Sequence, residues 1–362
     1  MKTTHNARVA ILGTRARGGI RAVIENHIES GVYDGATYYE LYTHEEGSVI
    51  QRVSLAARTL LRFLSLLLRR QLDICHIHGS MKGSIYRKSV FVFLCRLFRV
   101  QVIFHLHGSE FEDYYNRAGT VYRAVVRYVL DSSDYIFVLS RYWQDFLRTI
   151  CTNHNILIVN NFPSTRFECL LSGRSYEGQQ NLNFLFLGYL GQRKGIYDLV
   201  DAVASVRDQL PAGFCIHVGG NGEQEKVERY IAERGVGQHF DIHGWVSGEQ
   251  KDHLLRQCNV LLLPSHNEGM PIAILEAFAA GLTVVSTRVG GIPDLITDDS
   301  VGLLIDAGDV DGLAKRIRQL LSAQDLIEST AANANRVYSE HFSATANVAR
   351  IRTIYSELLA IA

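Results

Sequence analysis

The sequence lacks an apolar run long enough to cross a membrane, which requires about 20 apolar residues in a helix. Its two most apolar stretches, Leu60–Leu68 and Ser89–Phe104, are short or broken by arginines. The N-terminus leads directly into a predicted strand, without the apolar run and small-residue cleavage site of a secretory signal. We therefore expect no transmembrane helix and a cytoplasmic protein.

Several motifs of common site chemistries are also lacking. The six cysteines form no CxxC pair and have no histidine at metal-ligand spacing, so we expect buried thiols in a reducing compartment. No Asp-x-Asp stands directly after a predicted strand, and no glycine-rich loop is followed by the Lys-Ser/Thr of a Walker A motif. No G-x-G-x-x-G follows a strand with an acid about 20 residues on, which argues against a dehydrogenase. We expect no metal site, no cofactor and no nucleic-acid partner.

The charge is balanced overall but divided unevenly. The formal net charge is +0, yet residues 1–160 hold 20 Lys and Arg against 13 Asp and Glu, and the rest hold 17 against 24. A basic half favours an anionic partner such as a phospholipid surface or a phosphate-bearing substrate, although ordinary sampling also produces such a split.

Short apolar runs alternate with stretches of helical period, which is typical of βαβ units and parallel sheets. With 362 residues, 47% of them hydrophobic, the chain is predicted to form two domains of the α/β, doubly wound Rossmann-like type. We predict domains over 1–165 and 180–340, a linker over Pro163–Gln180, and a C-terminal helix in 341–362 that could pack back on either domain, with the N-terminal one as our first choice. The predicted strands are Arg8–Leu12, Thr37–Leu41, Asp73–His78, Gln101–His105, Tyr135–Val138, Ile156–Val159, Asn183–Leu187, Phe214–Val218, Phe240–His243, Val260–Leu263, Thr283–Ser286 and Gly302–Ile305.

The strongest functional motif runs from Glu268 to Glu276, directly after a predicted strand. Pro271 suits the first turn of a helix, because its φ is already helical and it has no N–H to leave unpaired. Free backbone amides around Gly269–Ile272 and the positive end of the helix dipole would form an anion site suited to a diphosphate. Two flanking carboxylates can accept hydrogen bonds from sugar and ribose hydroxyls, although solvated or capping glutamates are the alternative.

A second loop is predicted to meet the same edge of the sheet. It runs from Gly188 to Gly195, follows the first strand of the second half, and carries Arg193 and Lys194. Cations at a strand-to-helix turn can neutralise phosphate charge, whereas a solvated surface lysine is the simpler interpretation.

Taken together, these motifs resemble the C-terminal domain of the retaining GT-B-fold glycosyltransferases of family GT4. The resemblance rests on Gly188 with Lys194-Gly195, then Gly219–Glu223, Gly244–Val246, the E-x7-E of Glu268 and Glu276, and Gly290–Pro293. It implies two domains facing across a cleft, and a nucleotide-diphosphate sugar, with UDP-sugar favoured, as the donor.

The resemblance also implies roles for individual residues. Lys194 would contact the diphosphate, Glu276 the ribose, and Glu268 the transferred sugar, while Gly244–Ser247 would border the base. Together with the loop arguments above, the full set of predicted donor-binding residues is Gly18, Gly19, Gly188, Arg193, Lys194, Gly220, Gly222, Gly244, Val246, Glu268, Gly269, Met270, Pro271, Ile272 and Glu276.

One position departs from the family pattern. Family members have Arg directly after the glycine of the first motif, where this chain has Tyr189. Either Arg193 substitutes for that cation or donor binding is weaker.

The first half matches the family less closely. The loop Gly13–Ile20 is similar to the family's N-terminal glycine loop, which approaches the ligand closely. Glycines permit such a close approach of the backbone. His107, after the strand Gln101–His105, is our choice for the histidine that the family places near the transferred sugar; His76 and His78 are second choices, and a core or capping role is the alternative. Phe111 and Tyr115 follow on the expected acceptor side and could stack on a sugar or lipid chain.

The segment Gln51–Gln71 is helical in period and carries five arginines and no acid. An interfacial helix at a membrane and a buried Rossmann-like helix with snorkelling arginines fit it equally.

The resulting hypothesis is a retaining, metal-independent hexosyltransferase whose catalytic residues are His107, Lys194 and Glu268. Its acceptor would be a glycan or lipid-linked glycan, used in bacterial surface polysaccharide synthesis in the cytoplasm or at the inner face of the cytoplasmic membrane. By resemblance, attack is from the front face, and the leaving phosphate takes the acceptor's proton. The alternatives are a nucleotide-sugar epimerase or phosphorylase on a similar frame, and a donor-binding subunit without turnover.

Overall fold

A computed structural model describes residues 7–16, 18–170 and 182–361. The chain divides into two compact units, one formed by Met1–Ser164 with Ala344–Ala362 and the other by Thr165–Ser343. Most of the predicted linker Pro163–Gln180 lies outside the described residues.

The first unit is built around a six-stranded sheet of order β2-β1-β3-β4-β5-β6, in which each neighbouring pair is parallel. Its strands are β1 (Arg8–Gly13), β2 (Thr37–Tyr42), β3 (Ile74–Gly79), β4 (Gln101–Leu106), β5 (Tyr135–Val138) and β6 (Ile156–Ile158). Its helices are α1 (Gly19–Glu29), α2 (Val49–Leu68), α3 (Gly83–Phe98), α4 (Phe111–Arg117), α5 (Thr120–Asp131), α6 (Arg141–Ile150) and the C-terminal α14 (Ala344–Ile361).

The second unit repeats this plan with a six-stranded parallel sheet of order β12-β11-β10-β7-β8-β9. Its strands are β7 (Asn183–Leu187), β8 (Cys215–Gly219), β9 (Phe240–Gly244), β10 (Val260–Leu263), β11 (Thr283–Thr287) and β12 (Leu303–Ile305). Its helices are α7 (Ile196–Val206), α8 (Gln224–Glu233), α9 (Gly248–Gln257), α10 (Ile272–Ala279), α11 (Ile292–Leu295), α12 (Val310–Leu321) and α13 (Gln324–Val337). All twelve predicted strands are present, with ends that differ by at most one residue, so the predicted α/β architecture is confirmed.

Both faces of the first sheet are covered, which explains why its strands read as continuous apolar runs. Residues of one face, such as Leu12 and Ile77, are buried in one cluster with side chains of α2, α3, α5 and α6. Residues of the other face, such as Ile11 and Ile74, are buried with Ile351 and neighbouring apolar side chains of α14. The C-terminal helix therefore completes the core of the first unit.

The arginine-rich helix α2 begins two residues before the predicted segment. Ser48 accepts a hydrogen bond from the Gln51 backbone, and the Gln51 side chain accepts one from the Ser48 backbone. This capping box satisfies orphan amides of the first turn and sets the helix start. Among the described residues, no helix is both long enough and apolar enough to cross a bilayer.

Each sheet has one point where the strand order reverses between two neighbouring strands. In the first sheet this point lies between β1 and β3, and in the second it lies between β7 and β10. Open α/β sheets bind ligands outside the carboxyl ends of strands at such points. These two edges are therefore where functional side chains are expected.

Candidate functional site

The loops after β7 and β10 meet at the reversal point of the second sheet. The loop after β7 contains a short 3-10 turn, Gln192–Lys194, and the loop after β10 leads through Ser265 and Glu268 to α10. The His266 backbone N–H donates to the Arg193 carbonyl over 2.9 Å, which ties the loops together. The two loops that carry the strongest sequence motifs are therefore in direct contact.

Lys194 and Glu268 form an ion pair within this contact. The Lys194 ammonium donates to Oε1 of Glu268, and the Ser265 hydroxyl donates to the same oxygen over 2.8 Å. Glu268 is buried. Burial lowers the pKa of Lys194, and the Glu268 carboxylate opposes that shift. A cation and an anion are thus fixed side by side at the carboxyl edge of the sheet.

Arg193 adds a second cation to the same carboxylate. Its Nη1 lies 4.0 Å from Oε2 of Glu268 and donates to the Asn267 carbonyl over 3.3 Å. Tyr189, which occupies the position where the family has Arg, is 46% exposed. The arrangement agrees with the hypothesis that Arg193 supplies the second cation, a role that stays a prediction.

Glu276 lies in the second turn of α10 and pairs with a lysine that sequence reasoning missed. Its Oε1 is 2.5 Å from the Lys251 ammonium, which belongs to α9 and lies 5.4 Å from the centre of the Phe167 ring. Glu276 is buried, so this pair holds its carboxylate in place. No motif joins Lys251 to Glu276 in the sequence, because the two residues belong to different βα units.

Helix α10 begins at Ile272, one residue later than its predicted start near Pro271. Pro271 is the N-cap, with an extended backbone at φ −72° and ψ 120°. In the described part of the chain no side-chain hydrogen bond caps this end. The predicted amides around Gly269–Ile272 therefore lie at the amino end of α10, and Met270 and Pro271 are buried there.

Glycines bring the surrounding backbone into close contact. A Cβ on Gly220 would lie 1.7 Å from the Gly188 carbonyl oxygen, and the Gly220 amide donates to the Gly244 carbonyl over 2.7 Å. A Cβ on Gly290 would lie 1.7 Å from the Glu268 carbonyl oxygen, at a φ of +54°. Glycines of the motifs found in the sequence therefore hold neighbouring loops together through their backbones.

Gly222 and Val246 of the predicted donor set also lie at these loops. A Cβ on Gly222 would lie 2.6 Å from the Leu190 carbonyl oxygen, and the buried Val246 side chain packs over Gly219.

The first unit contains a cavity of about 250 Å³ at its own reversal point. None of the described residues that line it is acidic. The lining residues are Gly13, Thr14, Ala16, Gly18, Gly19, Ile20, Thr43, His44, His78, Ser80, Ser84, Arg87 and Lys88. The predicted Gly18 and Gly19 are thus brought together with basic side chains of α3.

Lys88 is the most unusual of these residues, because it is buried and its ammonium donates to the Gly13 carbonyl over 3.2 Å. Burial lowers the pKa of Lys88 to about 7, the Cys75 thiol opposes this shift, and Arg87 adds to it. The Nε of Arg87 is a buried atom for which the described residues supply no hydrogen-bond partner. This wall of the cavity can accept an anionic group.

Histidines from β3 and β4 stack beside the cavity. Nδ1 of His78 lies 2.9 Å from Nε2 of His107, and Nδ1 of His76 lies 2.6 Å from the Tyr355 hydroxyl. Burial lowers the pKa of each of these three histidines, for His107 to about 3, so their rings are neutral near pH 7. His78 lines the cavity, and His107, our first choice from the sequence, contacts it through His78.

Phe111 and Tyr115 do not lie at the surface of the first unit. Phe111 is 0% exposed and Tyr115 is 4% exposed, and both rings pack near Phe146. They are buried because α4 turns its apolar side toward α6. This position does not favour the acceptor stacking that the sequence suggested for them.

Two family models match the sequence. The model described as "Glycosyl transferase 4-like domain" matches residues 5–161, and "Glycosyl transferases group 1" matches residues 175–337.

Among curated proteins, the chain is 26% identical over 288 residues to an uncharacterized glycosyltransferase of Methanocaldococcus jannaschii, covering 79% of this chain and 76% of that protein. It is 24% identical over 302 residues to N-acetyl-alpha-D-glucosaminyl L-malate synthase of Bacillus anthracis, covering 80% and 76%.

Solved structures share the fold over nearly the whole chain. Sucrose-phosphate synthase of Thermosynechococcus elongatus superposes with a TM-score of 0.79 at 16% identity, covering 98% of this chain and 100% of that one. Anabaena HepE in complex with UDP and glucose gives a TM-score of 0.76 at 17% identity, covering 98% and 100%. The two family models and the two parallel sheets show that the chain belongs to the GT4-like glycosyltransferases of GT-B fold and is a glycosyltransferase that uses a nucleotide-sugar donor.

Proposed function

We propose that the protein transfers a sugar from a nucleotide-diphosphate sugar to a glycan or lipid-linked glycan, with retention of configuration and without a metal ion. The observation that carries this proposal is the Lys194–Glu268 pair at the reversal point of the second sheet, beside the amino end of α10. UDP-sugar is our favoured donor, and surface polysaccharide synthesis in bacteria is our proposed setting.

The donor diphosphate would bind between Lys194, Arg193 and the amides at the start of α10. Lys194 has three N–H donors and gives one to Glu268, so others are left for phosphate oxygens. Fixed cations and helix amides stabilise the charge that develops on a leaving diphosphate, which is the task that a metal ion performs in other sites. This supports a metal-independent reaction.

Glu268 and Glu276 would accept hydrogen bonds from hydroxyl groups of the donor. Each is buried and is held by a lysine, Glu268 by Lys194 and Glu276 by Lys251. Carboxylates accept shorter and stronger hydrogen bonds than neutral oxygens do, and their fixed positions favour one orientation of the sugar and ribose. In this proposal neither carboxylate is a nucleophile, and the leaving phosphate takes the acceptor's proton.

The acceptor would bind in the cavity of the first unit. Arg87 and Lys88 are cationic or readily protonated, Gly18 and Gly19 allow close backbone approach, and His78 presents a neutral ring. A phosphate or other anionic group on the acceptor suits this lining. His107 would act through its contact with His78.

A lipid-linked acceptor would bring the protein to a membrane surface, and α2 and α3 carry a suitable face. Helix α2 buries Leu55 and Phe63 against its own unit and exposes apolar and arginine side chains on the other side. Apolar side chains interleaved with arginines suit the interface of an anionic bilayer. The exposed apolar residues of the two helices are Val49, Ile50, Val53, Leu61, Leu68, Tyr86, Val90, Phe93, Leu97 and Phe98.

The donor proposal is tested by a panel of UDP-, GDP- and ADP-sugars. A bound ligand raises the melting temperature by linkage, so the matching donor is expected to stabilise the protein. Transfer from that donor to glycan acceptors is then followed with and without EDTA, and NMR gives the anomeric configuration of the product. Inverted configuration, or activity that EDTA abolishes and Mg²⁺ or Mn²⁺ restores, would contradict the mechanism.

The membrane proposal is tested by sedimentation with anionic vesicles at low and high salt. We expect salt-sensitive binding that weakens in a combined Arg58→Ala and Arg62→Ala variant, because these exposed arginines lie on α2. Arg336→Ala, an exposed arginine of the second unit, is the matched control. Absence of salt-sensitive binding by the unaltered protein would reject membrane association.

A further inference from the structure

Two histidines and an aspartate come together on the edge of the second sheet, away from the reversal point. His217 lies on β8, and Asp241 and His243 lie two residues apart on the edge strand β9. His217 is directly opposite Asp241 in the parallel register. Since side chains alternate along a strand, Asp241 and His243 are on one face, and all three side chains meet there.

The three ligand atoms form a nearly equilateral triangle. Nδ1 of His217 lies 3.1 Å from Nε2 of His243, and each of these nitrogens lies 3.3 Å from Oδ2 of Asp241. Zinc binds nitrogen and carboxylate oxygen at about 2.0–2.1 Å in tetrahedral geometry, so two of its ligands lie about 3.3 Å apart. The triangle therefore has the dimensions of one face of a zinc tetrahedron.

The chemistry and the exposure of the trio also suit an ion. Imidazole nitrogens and one carboxylate are ligands that zinc prefers, and the carboxylate offsets part of its charge. The Asp241 side chain is 54% exposed, whereas His217 and His243 are largely covered at 11% and 21%. An ion can thus reach the site from solvent, and water can occupy the fourth position.

We propose that His217, Asp241 and His243 form a zinc-binding site on the outer edge of the second unit. This site is separate from the Lys194–Glu268 pair and shares no residue with the predicted donor-binding set. Its three ligands come from neighbouring strands, so the ion cross-links β8 to the edge strand β9.

The experiment uses the full-length protein without an affinity tag, stripped with EDTA and then desalted. Zn²⁺ is titrated in competition with a chromophoric chelator, and the melting temperature is followed with and without the ion. We expect Zn²⁺ to bind and to raise the melting temperature, because binding to the folded state alone stabilises it. Co²⁺ in its place is expected to give the visible absorption of a tetrahedral site.

Asp241→Asn and His243→Ala are the test variants, since both side chains are more exposed than His217 and are less needed for folding. We expect each to weaken zinc binding at this site by at least about 10-fold, since loss of a group that only orients a ligand already costs about 10–100-fold. Circular dichroism verifies that each variant folds, and donor binding by Asp241→Asn, measured in parallel, should not change.

His253→Ala is the matched control. Burial is the main cause that lowers the pKa of His217, and His253, exposed on α9, is near enough to add to that shift but contributes no atom to the triangle. It should bind zinc as the unaltered protein does, and loss of binding here would overturn the ligand assignment.

Other histidine groups in the first unit also lie at ligand distance, so zinc uptake alone does not identify the site. The proposal is overturned if Asp241→Asn and His243→Ala both bind zinc with unaltered affinity and stoichiometry. It is equally overturned if the unaltered protein binds none, in which case hydrogen bonds alone hold the trio together.

Discussion

The Lys194 ammonium and the Glu268 carboxylate hold each other at the point where the second sheet reverses its strand order. The lysine follows β7 and the glutamate follows β10, so their contact joins the two strand ends on which the proposed donor site depends. Each group compensates the buried charge of the other.

Replacement of Lys194 by alanine should affect both activity and stability. The variant loses a fixed cation for the leaving diphosphate, so we expect kcat/KM to fall about 10²–10³-fold. It also leaves Glu268 buried without its nearest cation, and we expect the free energy of unfolding to fall by about 3 kcal/mol. Transfer assays and urea unfolding measure the two effects.

Lys226→Ala is the matched control, because Lys226 is exposed and pairs with Glu223 on the same unit. Exposed pairs contribute about 0–1 kcal/mol, so both properties should stay nearly unchanged. Full transfer activity in the Lys194 variant would contradict the donor site.

Gly290→Ala should displace the loop that carries Glu268. The added Cβ would lie 1.7 Å from the Glu268 carbonyl oxygen, and the φ of +54° is strained for alanine. We expect weaker donor binding and a lower melting temperature. In Gly237→Ala the new Cβ meets nothing within 4 Å, so this control should resemble the unaltered protein. Equal effects of the two substitutions would refute the close contact.

His27→Leu should make the protein less sensitive to acid. His27 is buried, and burial lowers its pKa to about 3, whereas the unfolded chain protonates near the ordinary value of 6.5. Below pH 6.5 the unfolded state therefore binds a proton that the folded state does not. The free energy of unfolding therefore decreases as the pH is lowered from 6.5 to 3, by up to about 1.4 kcal/mol per pH unit.

The leucine that replaces His27 in this variant cannot titrate, so the difference in unfolding free energy between variant and unaltered protein should grow from pH 7.5 to pH 5. Chemical unfolding at both pH values measures it. His154→Leu, a change at an exposed position, is the matched control. If the unfolding free energies of the His27 variant and the unaltered protein change in parallel with pH, His27 is not buried as a neutral ring.

Phe111→Ala distinguishes a core residue from an acceptor contact. Phe111 is fully buried, so truncation should cost about 3–5 kcal/mol of stability. Phe111→Leu keeps most of the volume and should keep the KM for the acceptor. A raised KM for the acceptor in a stable Phe111→Leu variant would support an acceptor contact by Phe111, which the burial of this residue does not favour.

Much of the fold was predictable because each strand is a short apolar run with helical-period residues on both sides. The Glu268 and Lys194 loops were predictable for a related reason: strands β7 and β10 are neighbours, and the motifs directly follow them. Lys251 was missed, since its pairing with Glu276 depends on how α9 packs and no periodicity encodes it. Likewise, aromatic residues after a strand do not reveal that Phe111 turns inward.

The return of α14 to the first sheet makes the second unit one uninterrupted insertion between two parts of the first. A chain ending at Ser343 would strip Ile351 and Tyr355 from the side chains of Val9 and Ile103. Truncation at the C-terminus would therefore destabilise the first unit, which contains the N-terminus, and would leave the second unit, which ends at the cut, intact. Segment Thr165–Ser343, by contrast, is a natural candidate for autonomous expression.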